Sequence, residues 1–254
     1  MESSAAHRYR DVMRRDPPAA EVLTPFERAH LEFVFGHVWS RPGISRRERR
    51  LVTLACVAAA DTQTPIEDHV YAALKSGDLS IEEMLEVVLH FAVYCGWPKA
   101  SNLERHVRLQ WGRVQEERGE PTQALPQLDN EELGINDWDA RMDRGRQEFA
   151  DVNLVPAPPS DSPYQHAGIL NFVFGHVWLR PNLGRRDRRF VTIACVGLDD
   201  AEMPILSHVG SALASGDLTK TEMDEVILHF SAYYGFPKGA VLQATADAAW
   251  AARG

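Results

Sequence analysis

Cysteine is scarce in this chain: 254 residues hold three, Cys56, Cys95 and Cys195, and no two of them form a C-x-x-C pair. That excludes a disulfide framework and a dithiol redox motif, and it predicts a reducing, cytoplasmic compartment. Long apolar runs are lacking as well. The longest, Leu51 to Ala60, has Thr53 inside it and is far shorter than the roughly 20 residues a spanning helix needs. Met1 to Pro18 is polar and charged, without the apolar segment of a secretion signal. Positive charge is not in excess. With 27 basic against 36 acidic side chains the net charge is -9, which works against attraction to phosphate backbones or anionic lipid, so neither nucleic acid nor membrane is expected as a partner. Strand-like alternation is missing throughout.

What the chain does have is one run of 73 residues written twice. At an offset of 139, Leu31 to Leu103 lies over Leu170 to Leu242 without insertion or deletion, and 42 positions are identical. Phe33-Val34-Phe35-Gly36-His37-Val38-Trp39 returns as Phe172-Val173-Phe174-Gly175-His176-Val177-Trp178. Two copies are too few for a solenoid, so the pattern predicts an all-α pseudo-dimer in which two like helical modules bury a shared face. The divisions expected are an N-terminal extension over 1–23, a first repeat over 24–118, a linker over 119–161 and a second repeat over 162–254.

Within each copy the helix starts are marked by capping chemistry. Thr24-Pro25-Phe26-Glu27 and Ser162-Pro163-Tyr164-Gln165 open helices running to Trp39 and Trp178. Ser45-Arg46-Arg47-Glu48 and Gly184-Arg185-Arg186-Asp187 open the most apolar helix. A third ends at Gly77 or Gly216, and a fourth is opened by Ser80-x-x-Glu83 or Thr219-x-x-Glu222 and stopped near Gly96-Trp97-Pro98. A fifth helix follows from Pro98 to about Glu117. In the linker, Asn136 to Phe149 reads as locally helical and packed in part against the body.

Six of the ten histidines recur as the pairs His37 with His176, His69 with His208, and His90 with His229. Each has an ordinary reading as a packed or dipole-complementing side chain. Arginines cluster at Arg41 to Arg50 and again at Arg180 to Arg189, where guanidinium suits a carboxylate. Glu48 and Asp187 stand at the third helical position, as capping residues or as partners of a histidine. Three histidines per copy, or two with Glu48, would meet the ligand count of a zinc or non-haem iron site, but no His-x-x-x-His or His-Glu-x-x-His spacing orients two of them on one face.

The run Phe35-Gly36-x-Val38-Trp39-Ser40-Arg41-Pro42-Gly43, with His69-Val70, Glu83-x-x-Glu86-Val87, Leu89-His90 and Tyr94-Cys95-Gly96-Trp97-Pro98, resembles the gamma-carboxymuconolactone decarboxylases. The resemblance implies an all-helical fold, assembly into rings, and decarboxylation of a small carboxylated lactone or related anionic acid without metal or organic cofactor. It implies His69 or His208 as proton donor, Glu48 or Asp187 setting its tautomer, and His90 or His229 lining the pocket. Arg41 or Arg180 would hold the substrate's carboxylate, with His37, His176, Trp39 and Trp178 completing the binding site. A homo-oligomer, a trimer of two-repeat chains, is expected. The related hydroperoxidase branch needs a C-x-x-C pair ahead of the histidine, and no cysteine precedes His69 or His208 there. A metal-dependent oxygenase or an isomerase of a natural-product intermediate, and a non-catalytic small-acid-binding module, remain the other readings.

Overall fold

The computed structural model describes residues 4–121, 123–126, 137–199 and 201–253. Among them every regular element is a helix. The first copy is preceded by α1 (Ser4–Met13), which packs on a helix that begins as α2 (Pro25–Ala29) and continues as a π-helix over His30–Val38. Then come α3 (Arg46–Ala60), α4 (Gln63–Ser76), α5 (Ile81–Cys95) and α6 (Trp97–Glu117). Within the linker lies α7 (Trp138–Asn153), which packs on a second π-helix over Tyr164–Phe174. The chain closes with α8 (Arg185–Leu198), α9 (Glu202–Ser215), α10 (Lys220–Tyr234) and α11 (Phe236–Ala251).

The capping chemistry explains these boundaries. Thr24, Ser45, Ser80 and Thr219 each accept the N–H three residues on, and Glu27, Glu48, Glu83 and Glu222 reach back to the cap's own N–H. Gly77 and Gly216 end α4 and α9 in the left-handed conformation. Gly184 starts α8 with no side chain to offer as a cap, which corrects the expected symmetry of the two starts. The opening helices also differ from expectation, since each carries hydrogen bonds spaced by five residues: Trp39 N–H to Val34 O and Gly175 N–H to Leu170 O, both 2.9 Å.

At the centre α3 lies against α8, α10 packs on α3, and α5 packs on α8. One apolar core runs through both copies, from Leu51, Leu54 and Phe91 to Phe190, Ile193 and Phe230. Because α10 belongs to the second copy and α3 to the first, polar residues at this junction come from both halves. No described helix is long and apolar enough to cross a membrane.

Candidate active site

Two helix faces set up the polar cluster. Glu225, His229 and Tyr233 follow one another at intervals of four along α10, so they share one side of the helix. Arg49 and Thr53 do the same on α3. Where the faces meet, Glu225 Oε2 accepts from Arg49 at 2.9 Å and Oε1 accepts from Arg41 Nε at 2.6 Å. Arg49 also donates to the Arg41 carbonyl at 2.9 Å. The ring of His229 lies with Nδ1 3.5 Å from Arg49 and Nε2 2.7 Å from Thr53 Oγ1. Guanidinium only donates, so Nδ1 accepts and the proton of a neutral His229 rests on Nε2, facing the threonine. Above this, Trp39 donates its indole N–H to Tyr233 at 2.8 Å and lies parallel to the ring of His69, centroids 6.5 Å apart.

The same cluster recurs with the copies exchanged. Glu86, His90 and Tyr94 on α5 meet Arg188 and Thr192 on α8. Arg180 Nε donates to Glu86 at 2.8 Å, Arg188 donates to Glu86 at 3.2 Å and to the Arg180 carbonyl at 2.9 Å, and His90 sits between Arg188 at 3.2 Å and Thr192 at 2.7 Å. Trp178 donates to Tyr94 at 3.0 Å and lies parallel to His208, centroids 6.1 Å apart. His69 therefore shares its site with His229, and His208 with His90. The pairing across copies follows from the packing of α10 on α3 and of α5 on α8.

Hydrogen bonding, rather than charge, separates the histidines. All four are buried, and desolvation, followed by nearby arginines, holds them below the ordinary imidazole range: His208 falls to about 3, and His69, His90 and His229 also lie well below it. His90 and His229 have both ring nitrogens engaged. His69 and His208 do not: Nδ1 of each is buried without a hydrogen-bond partner. A buried ring nitrogen left open in a polar pocket is a position a bound ligand can satisfy. Arg49 Nε and Arg188 Nε are open in the same way.

Other expected site residues stand elsewhere. Glu48 accepts from Arg186 at 2.9 and 2.7 Å and from its own cap N–H, and Asp187 accepts from Arg47 at 2.9 Å. Their carboxylates tie the start of each central helix to the other copy; His69 and His208 lie instead against Tyr233 and Tyr94, with Tyr94 Oη 3.4 Å from His208 Nε2, so the expected tautomer-setting role of Glu48 and Asp187 is corrected. Arg41 and Arg180 are each bonded to a carboxylate of the opposite copy, Glu225 and Glu86. Arg41 keeps a side chain 48 % exposed, whereas that of Arg180 is 6 % exposed. His37 is exposed and His176 is buried, 3.2 Å from Arg180. Trp39 and Trp178 are buried against the histidines they flank.

Glu86, Glu225, Thr53, Thr192, Tyr94 and Tyr233 went unassigned from sequence. Their recurrence at the 139 offset and the i, i+4, i+8 series Glu-His-Tyr were the signals available. Among the described residues no three His, Cys, Asp or Glu side chains converge as a metal's ligand set. Two surface grooves, of about 870 and 420 Å³, lie along α5 and α6 beside Trp111 and Leu85, and neither is lined by these clusters.

Residues 25–107 match the model of the carboxymuconolactone decarboxylase family. Over 75 residues the chain is 39% identical to 4-carboxymuconolactone decarboxylase of Acinetobacter baylyi, covering 30% of this chain and 54% of that protein. It is 38% identical over 79 residues to nitrosuccinic acid decarboxylase npaB of Metarhizium robertsii, again 30% of this chain and 54% of the relative. The chain thus spans about half the length of the curated relatives it matches. The Trp39, Arg41, Arg49 and His69 of the first cluster all fall within residues 25–107, the stretch that is similar to the carboxymuconolactone decarboxylase family.

Proposed function

We propose that the chain is a decarboxylase of a small anionic acid, working without a metal or organic cofactor, with its two repeats arranged as a pseudo-dimer whose sites each draw on both copies. The supporting observation is the open Nδ1 of His69 and His208, buried beside clusters in which two arginines converge on one carboxylate, Arg41 and Arg49 on Glu225 and Arg180 and Arg188 on Glu86. Such a cluster favours an anion. The relatives' names give acids of the same kind, a carboxylated lactone in one case and nitrosuccinic acid in the other.

In the empty site burial keeps His69 neutral. A substrate carboxylate entering beside it reverses that penalty, because the negative charge favours imidazolium, so the proton arrives together with the anion. Loss of carbon dioxide leaves an electron pair on the adjacent carbon. The open ring nitrogen delivers its proton there, and the histidine regains one from solvent. Arg41 and Arg49 stabilise the charge that develops on the neighbouring carbonyl oxygen. His229 and Tyr233 hold the floor of the pocket through Thr53 and Trp39. Trimeric assembly of such chains and a cytoplasmic setting complete the proposal.

Carbon dioxide release from gamma-carboxymuconolactone, followed by mass spectrometry of the headspace, tests the reaction. The expected result is release that falls by about 10²-fold or more in a His69→Ala, His208→Ala double variant, the contribution usual for a proton-transferring side chain. Full activity in that folded double variant removes the histidines from the mechanism. No release from the lactone or from nitrosuccinate, with retained binding of succinate, transfers the chain to the acid-binding reading.

A further inference from the structure

The two clusters share their partners but not their access. Around the first, the π-helix runs unbroken through Val38, His37 points outward, and the Arg41 side chain is 48 % exposed. Around the second, the π-helix stops at Phe174. His176 takes a non-helical conformation, φ -131° and ψ -66°, and its ring turns inward until Nε2 is 3.2 Å from Arg180. Phe172 lies 5.6 Å from the His176 ring and Trp97 6.2 Å from Phe172; the first site has the matching aromatics, Phe33 6.3 Å from His37 and Phe236 6.2 Å from Phe33, so what differs is the inward imidazole itself.

The cause is traceable to the helix beneath. A β-carbon on Gly145 of α7 would stand 1.7 Å from the Leu170 carbonyl oxygen, and one on Gly175 would stand 2.3 Å from the Arg141 carbonyl. That approach is possible only because both are glycines. At the 139 offset the N-terminal extension has Ala5 and Ala6 where the linker has Arg144 and Gly145, and the β-carbon of Ala5 already lies 3.0 Å from where one on Gly36 would be. Helix α7 therefore clamps the second π-helix more tightly than α1 clamps the first, and the turn after Phe174 throws His176 inward.

We infer that the two sites are functionally unequal: the site of Trp39, His69, His229 and Arg41 is open to an anionic acid, while that of Trp178, His208, His90 and Arg180 is guarded by His176, which must swing out before an acid reaches Arg180. His176 is a positioning residue that acts through Arg180. The inference rests on reading both clusters as acid sites, yet its test does not depend on turnover.

Phenylglyoxal labelling of the full chain, read arginine by arginine by peptide mass spectrometry, measures access directly. Arg41 is expected to react about tenfold faster than Arg180, the difference between an exposed group and one that must await local opening. His176→Ala and His176→Asn, both too short to cover the guanidinium, should bring Arg180 close to the Arg41 rate, while His37→Ala changes neither. Continued protection of the fully buried Arg188 shows in the same spectra that each variant is folded. Equal labelling of Arg41 and Arg180 in the unmodified sequence, or an Arg180 still protected in both folded His176 variants, overturns the inference. Failure of decarboxylation alone leaves the labelling contrast intact.

Discussion

His69, His90, His208 and His229 are kept neutral by burial, and this makes a specific demand on pH. Each has a folded pKa below the unfolded value of about 6.5, so as pH falls the unfolded chain takes up protons before the folded one. Stability is complete above about 6.5 and declines as the pH falls from there toward the folded values, about 3 for His208 and about 4 for His176. The loss is on the order of 1 kcal/mol per pH unit for each such histidine. Urea midpoints measured from pH 7 down to pH 4.5 should fall steadily, and a His90→Gln, His229→Gln variant should show a visibly shallower slope. A flat profile would mean that these rings bind protons equally in the folded and unfolded chain. At this scale the sequence shows which histidines recur and that they face inward, but not which share a site. A side chain's neighbours across a junction leave no trace in local periodicity, and it is the packing of α10 on α3 that gives His69 to His229.

Helices are where local chemistry decides most, and here the text of the chain was most legible. Ser80 accepts from Glu83 N–H at 3.2 Å while Glu83 accepts from Ser80 N–H at 2.7 Å, and the apolar stripe Met84, Val87, Phe91 follows at helical spacing. Replacing Ser80 by Ala should cost about 1 kcal/mol, as should the same change at Thr219, measured as a fall in the urea midpoint with unchanged slope. A β-carbon added to Gly77 would meet nothing within 4 Å, but the residue's φ is +73°, so Gly77→Ala should cost roughly 1 kcal/mol through backbone strain alone. The π-helices were not legible, because bonds spaced by five residues have no compositional signature distinct from an ordinary helix. Helix α1 was hidden by polar residues around a narrow stripe of Ala5, Tyr9, Val12 and Met13. Only its packing on the first π-helix, matched by α7 on the second, gives that stripe a purpose.

For the molecule as a whole the decisive contacts cross between copies. Glu225 joins Arg41 and Arg49 of the other copy, Glu86 joins Arg180 and Arg188, Glu48 joins Arg186, and Asp187 joins Arg47. The first two carboxylates are buried, the last two are partly exposed, and this difference ranks them. An exposed pair contributes about 0 to 1 kcal/mol because water screens it. Removing one partner of a buried pair strands the other charge and costs about 3–5 kcal/mol. Glu86→Gln should therefore destabilise the chain far more than Asp187→Asn, even though each removes one carboxylate that ties the copies together. Because the apolar core is continuous through α3 and α8, the loss should appear as a downward shift of one cooperative transition rather than as early melting of one half. Calorimetry checks both parts: the calorimetric and van't Hoff enthalpies should agree for the parent chain and for Glu86→Gln. Two resolved transitions, or equal costs for Glu86→Gln and Asp187→Asn, would mean that the copies fold as separate bodies and that the sites between them are assembled late rather than built into the core.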